Sequence, residues 1–226
     1  MVLTAGRNDT PCAQAALGKL CQTYWYPLYA YVRRRGHSVE DAQDSTQEFF
    51  SRLLADNWVG RANPAKGRFR TFLLTALNRF LANEWDRAHA RKRGGGVAAV
   101  PLDTALAESR YCADTQNGLA PDRLYDRQWA MTLLDRALAR LEAEHQQAGK
   151  SAEFDVLSTA LTAERGAIPS ATMAAQLGLS EPATRMAVHR LRKRFREVFR
   201  EEIAQTVADP PEVEAEVRHL LAALAG

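Results

Sequence analysis

The chain has 226 residues, 46% hydrophobic, 25% charged and 8% aromatic, a balance that excludes a disordered or collagen-like polymer. No apolar run reaches the roughly 18 residues of a spanning helix, and the first fourteen residues lack a secretory pattern, so a cytosolic chain without membrane insertion is expected. Net charge is only +3, but residues 1–95 hold 15 Lys and Arg against 8 Asp and Glu, a net +7, while residues 206–226 hold 1 against 4, a net −3; such segregation suggests contact with a polyanion.

After an N-terminal extension, residues 1–14, the stretch 15–95 reads as a helical domain. Leu17, Leu20, Cys21, Tyr24, Leu28, Tyr31 and Val32 recur at three-and-four spacing, which puts them on one side of a first helix that Gly36 ends. Ser38 stands where an N-cap belongs, with Asp41 three residues on. A second helix, about 39–55, turns Ala42, Phe49, Phe50, Leu53 and Leu54 inward, and Asp41, Asp44 and Glu48 form an acidic outer stripe. On its own, such a stripe is an ordinary solvated face.

A third helix, about 67–92, has the core stripe Phe69, Phe72, Leu73, Leu77, Phe80 and Leu81. Around it stand Arg68, Arg70, Arg79, Arg87, Arg91, Lys92 and Arg93, with Trp85 among them. The phenylalanines are assigned to the core, and the Tyr24-Trp25-Tyr26 cluster to packing. Cations for phosphates, with a ring on which an unpaired base can stack at ~1–3 kcal/mol, suit single-stranded nucleic acid.

Gly94-Gly95-Gly96, Pro101, Asn117-Gly118 and Pro121 mark residues 96–125 as a flexible linker. A second helical domain, 126–205, opens with Trp129, Leu133, Leu134, Ala137, Leu138 and Leu141 and continues its core with Phe154, Val156, Leu157 and Leu161. Ser170 caps a short helix carrying Met173, Ala174 and Leu177; Gly178-Leu179-Ser180 turns the chain, and Ser180 caps a long helix whose first turn tolerates Pro182. That helix buries Val188, Leu191, Phe195 and Val198 and leaves Arg185, His189, Arg190, Arg192, Lys193, Arg194, Arg196 and Arg200 outside. The pattern is helix-turn-helix. Its second helix would enter the major groove with Glu181, Thr184, Arg185 and His189 as base readers, and Arg192 and Arg196 as phosphate clamps. A last acidic helix, about 212–224 within the segment 206–226, aligns Val213, Val217, Leu220, Leu221 and Leu224; packing on the second domain and meeting a partner both fit it.

An all-α protein of two small domains is therefore expected. Cys12, Cys21 and Cys112 have no paired spacing, so they read as buried hydrophobes or free thiols. His37, His89, His145, His189 and His219 are scattered, which gives no reason for a metal or other cofactor. Without a phosphate-cradling loop, a nucleophile elbow or a His/Glu metal spacing, catalysis is not expected.

Taken together, the two halves resemble a bacterial RNA polymerase sigma factor of the sigma-70 family, extracytoplasmic-function type. Tyr29-Ala30-Tyr31-Val32-Arg33-Arg34, Glu40-Asp41-Ala42-Gln43-Asp44 and Gln47-Glu48-Phe49-Phe50 are similar to that family's polymerase-clamp-binding helix. The stretch Phe69 to Arg93 resembles its promoter-melting, minus-ten-reading helix, and Gly178-Leu179-Ser180-Glu181 through Arg194 its minus-thirty-five-reading helix-turn-helix. The resemblance covers roughly residues 15–95 and 126–204; the long 142–169 segment and the terminal helix are additions to the family pattern.

The resemblance implies binding to core polymerase, clamp and flap, through Glu40, Asp41, Asp44, Gln47 and Glu48. It implies a minus-ten single-strand site of Arg68, Arg70, Asn78, Arg79, Trp85, Arg87, Arg91, Lys92 and Arg93. The minus-thirty-five duplex would be met by Ser180, Glu181, Thr184, Arg185, His189, Arg190, Arg192 and Arg196. Control by an anti-sigma partner, by phosphorylation through a kinase or by the acidic tail stays open. The competing reading is a stand-alone DNA-binding regulator that uses the helix-turn-helix alone, its first domain serving dimerisation or sensing.

Overall fold

The computed structural model describes residues 11–55, 68–90, 104–114, 118–162, 170–207 and 209–225. All regular structure among them is helical: α1 (Pro11–Arg34), α2 (Val39–Ala55), α3 (Phe69–Ala90), α4 (Thr104–Asp114), α5 (Pro121–Gln147), α6 (Ser151–Thr162), α7 (Ser170–Leu177), α8 (Glu181–Ala204) and α9 (Pro210–Ala225). The protein is all-α, as the periodicities require. No helix among the described residues is long and apolar enough to cross a membrane.

The chain divides into two compact units, Met1–Thr132 with Ala204–Gly226, and Leu133–Ile203. In the first unit α1 turns Cys21, Tyr24, Leu28, Tyr29 and Val32 inward, where they join Phe49, Phe50 and Leu53 of α2 and Phe69, Leu73, Leu77 and Phe80 of α3. Gly36 ends α1 at φ 94° with open space around it, so the left-handed backbone, rather than crowding, is what selects glycine there. Ser38 caps α2 as expected: its hydroxyl accepts the Asp41 amide at 3.0 Å and donates to the Asp41 carboxylate at 2.8 Å.

Three expectations about boundaries change. The proposed linker contains a helix, α4, whose Ala107 and Tyr111 are buried, while residues 91–103, with Gly94-Gly95-Gly96, lie outside the described residues. Two apolar positions one turn apart are too few to announce a helix, but a tertiary surface is enough to hold it. Glu108 of α4 accepts the Tyr29 hydroxyl at 2.6 Å and a forked pair from Arg33 at 2.7 and 3.1 Å, and Arg33 also lies over the Tyr111 ring. The Glu108 carboxyl is held below the usual carboxylate range, first by the Arg33 hydrogen bonds, and burial together with the Glu108 contact pushes the Tyr29 phenol up.

Second, the start of α5 belongs to the first unit rather than opening the second. Trp129 is fully buried and stacks on Tyr24 at 4.1 Å between ring centroids, and the Tyr125 hydroxyl donates to the Arg70 carbonyl at 2.9 Å. Third, α9 packs in the first unit, burying Val217 and Leu220, and the Phe69 amide that heads α3 donates to the Thr206 carbonyl at 3.0 Å. Of the cysteines, Cys21 is buried, its thiol pushed up to about 12 by burial, and Cys112 is exposed beside Glu108; the Cys12 side chain lies outside the described residues.

The second unit is built on a cluster of Leu141, Phe154, Leu157, Ala187 and Leu191, with Leu138, Leu161, Leu177, Val188 and Phe195 packed around it. Its α5, α6 and α8 share this core.

Candidate nucleic-acid interface

The helix-turn-helix is assembled in the second unit by capping chemistry. α7 ends on Gly178 at φ 63°, and the Leu179 amide reaches back to the Ala174 carbonyl at 3.0 Å, the wrapped helix end that glycine permits. Ser180 then caps α8: its hydroxyl accepts the Ala183 amide at 3.4 Å and its carbonyl accepts the Thr184 amide at 2.9 Å. Pro182 falls in that first turn, where a missing amide leaves no helical bond unmade. Ser170 donates to the Glu181 carboxylate at 3.3 Å, joining the starts of the two helices.

Along α8, Arg185, His189, Arg190, Lys193 and Arg196 are exposed, on the side away from buried Ala187, Leu191 and Val198. Glu181 pairs with Arg185 at 3.3 Å, both half exposed, a contact too solvated to hold the guanidinium from a better anion. Ser180 is exposed as well.

Two predicted contacts do not belong to this surface. Thr184 is fully buried, and its hydroxyl donates to the Ser180 carbonyl at 3.1 Å; it is part of the cap, not a base reader. Arg192 sends Nε and Nη2 to the Ala160 carbonyl near the end of α6 at 3.2 and 2.6 Å, so its guanidinium is spent on a helix-end carbonyl rather than presented as a phosphate clamp. Arg194, also expected outside, is bound to Glu144 by two hydrogen bonds at 2.7 and 2.9 Å. That pairing raises the Arg194 pKa and lowers that of Glu144, the hydrogen bonds being the leading cause in both.

In the first unit the expected single-strand site is only partly present. Arg70 is 8% exposed; its Nε donates to Glu216 at 2.6 Å, and its Nη1 pairs with Asp126. Arg68 lies 2.9 Å from the other Glu216 oxygen, in ion-pair range without hydrogen-bond alignment. Glu216 itself is 1% exposed, and Asp126 also meets His219 at 2.9 Å. Arg68 is thus a structural partner of α9, and Arg70 of both α9 and α5, because a carboxylate buried at that depth requires cations beside it. Asn78 accepts the Tyr31 hydroxyl at 3.0 Å and Arg35 at 2.7 Å, so it too is engaged. Arg79 is exposed on α3. The side chains of Trp85 and Arg87, and all of Arg91, Lys92 and Arg93, lie outside the described residues.

The acidic face of α2 stands as expected. Glu40, Asp41, Asp44 and Glu48 are exposed and Gln47 is half buried. Asp41 serves the Ser38 cap, and Glu48 pairs with Arg52, which reaches Glu84 at 2.9 Å as well.

Two charged residues that the spacing did not single out take part in these contacts: Glu108 and Glu216. Glu216 had a signal, since it falls three residues after Val213 and four before Leu220, an acid on the apolar side of its helix. Comparisons with models of known protein families, with curated proteins and with solved structures match nothing.

Proposed function

We propose that the chain is a bacterial RNA polymerase sigma factor of the compact type, which binds core polymerase through the acidic outer face of α2 and reads promoter duplex with the exposed arc of α8. The observation that carries this reading is the capped α8 behind the Gly178 turn, with Arg185, His189, Arg190, Lys193 and Arg196 on one solvent side. A short helix, a tight turn and a cationic second helix suit major-groove docking, in which residues near the N-terminus face base edges and others meet phosphates. The exposed carboxylates of Glu40, Asp44 and Glu48 support the polymerase half, since a basic surface on the partner would complement them. Among the described side chains, gripping of an opened strand rests on Arg79 of α3, because Arg68 and Arg70 are tied into ion pairs; the sequence adds Trp85, Arg87, Arg91, Lys92 and Arg93 to that role.

That withdrawal of two arginines favours a second reading: a stand-alone regulator whose only DNA contact is in the second unit. Core polymerase separates the two. A sigma factor is captured stoichiometrically by purified core and starts promoter-specific transcription with it; a regulator binds its duplex without core and starts none. Under the first reading, Asp44→Arg with Glu48→Arg weakens capture while circular dichroism stays unchanged. Unaltered affinity would remove α2 from the interface, and absence of capture by the wild-type chain would leave the regulator.

A further inference from the structure

The exposed arc of α8 carries a long apolar side chain, Met186, that neither phosphate contact nor hydrogen-bonded base reading employs. Among the described residues the exposed large apolar side chains are Leu179, Met186 and Leu221, and two of these flank the start of α8; Met186 is 56% exposed and Leu179 43%. Single apolar residues on a surface are ordinary. The position of Met186 is what matters: it follows Arg185, precedes His189 and Arg190 by one turn, and sits two turns before Lys193.

Arg185, Arg190, Lys193 and Arg196 around it carry cationic side chains that attract an anion, but Met186 cannot. Its thioether is flexible, polarizable and at best a weak acceptor. Pressed against a polar base edge, it would strip water from donors and acceptors without replacing their hydrogen bonds. In the major groove one group rewards an apolar side chain, the 5-methyl of thymine; the purines offer N7 acceptors and cytosine an amino donor. From this placement, and resting on the duplex-reading assignment above, we infer that Met186 is a specificity-determining residue whose side chain seats against a thymine 5-methyl group, so that the recognised element carries thymine at that step.

The test uses the full-length chain, with and without core polymerase, to enrich duplexes from a random pool; each thymine of the best duplex is then replaced singly by deoxyuridine, which removes only the methyl group. At one or two positions the replacement should weaken binding about fourfold, equivalent to the ~0.8 kcal/mol of one buried carbon. The Met186→Ala chain should bind the paired duplexes alike, with an unfolding midpoint close to wild type, and Met186→Leu should keep the difference. Indifference to every replacement, or a preference that survives in Met186→Ala, overturns the assignment. It is equally overturned if Met186→Ala leaves thymine discrimination intact and instead loosens core polymerase, which would make Met186 a protein contact. If the wild-type chain enriches no duplex under either condition, the duplex-reading premise fails first and takes this inference with it.

Discussion

Arginine is used in opposite ways on the two basic helices. At the head of α3, Arg68 and Arg70 face the buried carboxylate of Glu216, whereas on α8, Arg185, Arg190 and Arg196 face solvent. Both helices read from sequence as cationic surfaces awaiting nucleic acid. The difference lies in what packs beside them: α9 brings an acid to the first, and nothing described in the second unit covers the exposed arc of α8. A run of positive charge therefore identifies a binding face only after its internal carboxylates have been matched to their partners.

The strongest way to break this comparison is Glu216→Gln. If the arginines of α3 are structural, the substitution leaves Arg70 with Asp126 alone and should cost about 3–5 kcal/mol of stability, the usual result of removing one partner from a buried pair. Urea unfolding measures it; a loss below about 1 kcal/mol would return Arg68 and Arg70 to the candidate nucleic-acid surface.

A sharper division runs within α8, between Arg192 and Arg196. Because Arg192 ties α8 to the Ala160 carbonyl of α6, Arg192→Ala should lower stability by about 1.5–3 kcal/mol and leave the salt dependence of DNA binding unchanged. Arg196→Ala should do the reverse, reducing the slope of log affinity against log salt by about 0.9 with no stability cost. Thr184→Val, which keeps the shape and removes the hydroxyl from the Ser180 carbonyl, should cost about 1 kcal/mol and alter no base preference; changed discrimination at a single base pair would restore Thr184 as a reader.

The smallest effect compares the units by acid. Glu108 in the first and Glu144 in the second each titrate below an unfolded glutamate, which titrates near about 4.3, because an arginine hydrogen-bonds the carboxylate. A depressed folded pKa adds stability that is complete above the unfolded value and is lost as pH falls through the folded one. Melting temperature should thus fall on acidification below about pH 4, and Glu144→Gln should flatten the part of that fall that belongs to the second unit. An unchanged profile would mean that the Arg194 pair holds no carboxylate in solution.

Several of these roles are legible in the spacing of residues along the chain. Thr184 stands four residues before Val188 and seven before Leu191, and Arg70 stands three before Leu73 and seven before Leu77; both lie on the apolar sides of their helices, where a polar side chain must find a partner. Period reveals their burial, but it does not reveal the partners. Glu216 is 146 positions from Arg70, and no local rule links residues at that separation.

Sequence alone was sufficient for the all-helical class, the Ser38 and Ser180 caps, the Gly36 and Gly178 turns, and the solvent placement of Arg185, His189 and Arg196, because each depends on neighbours within one or two turns of chain. Tertiary structure decided that α4 forms inside an apparent linker, that Trp129 completes the first unit and that α9 claims the two arginines at the head of α3. Those outcomes depend on burial against surfaces distant in sequence, where desolvation of a charge or ring determines whether it holds the fold together or remains available to a partner.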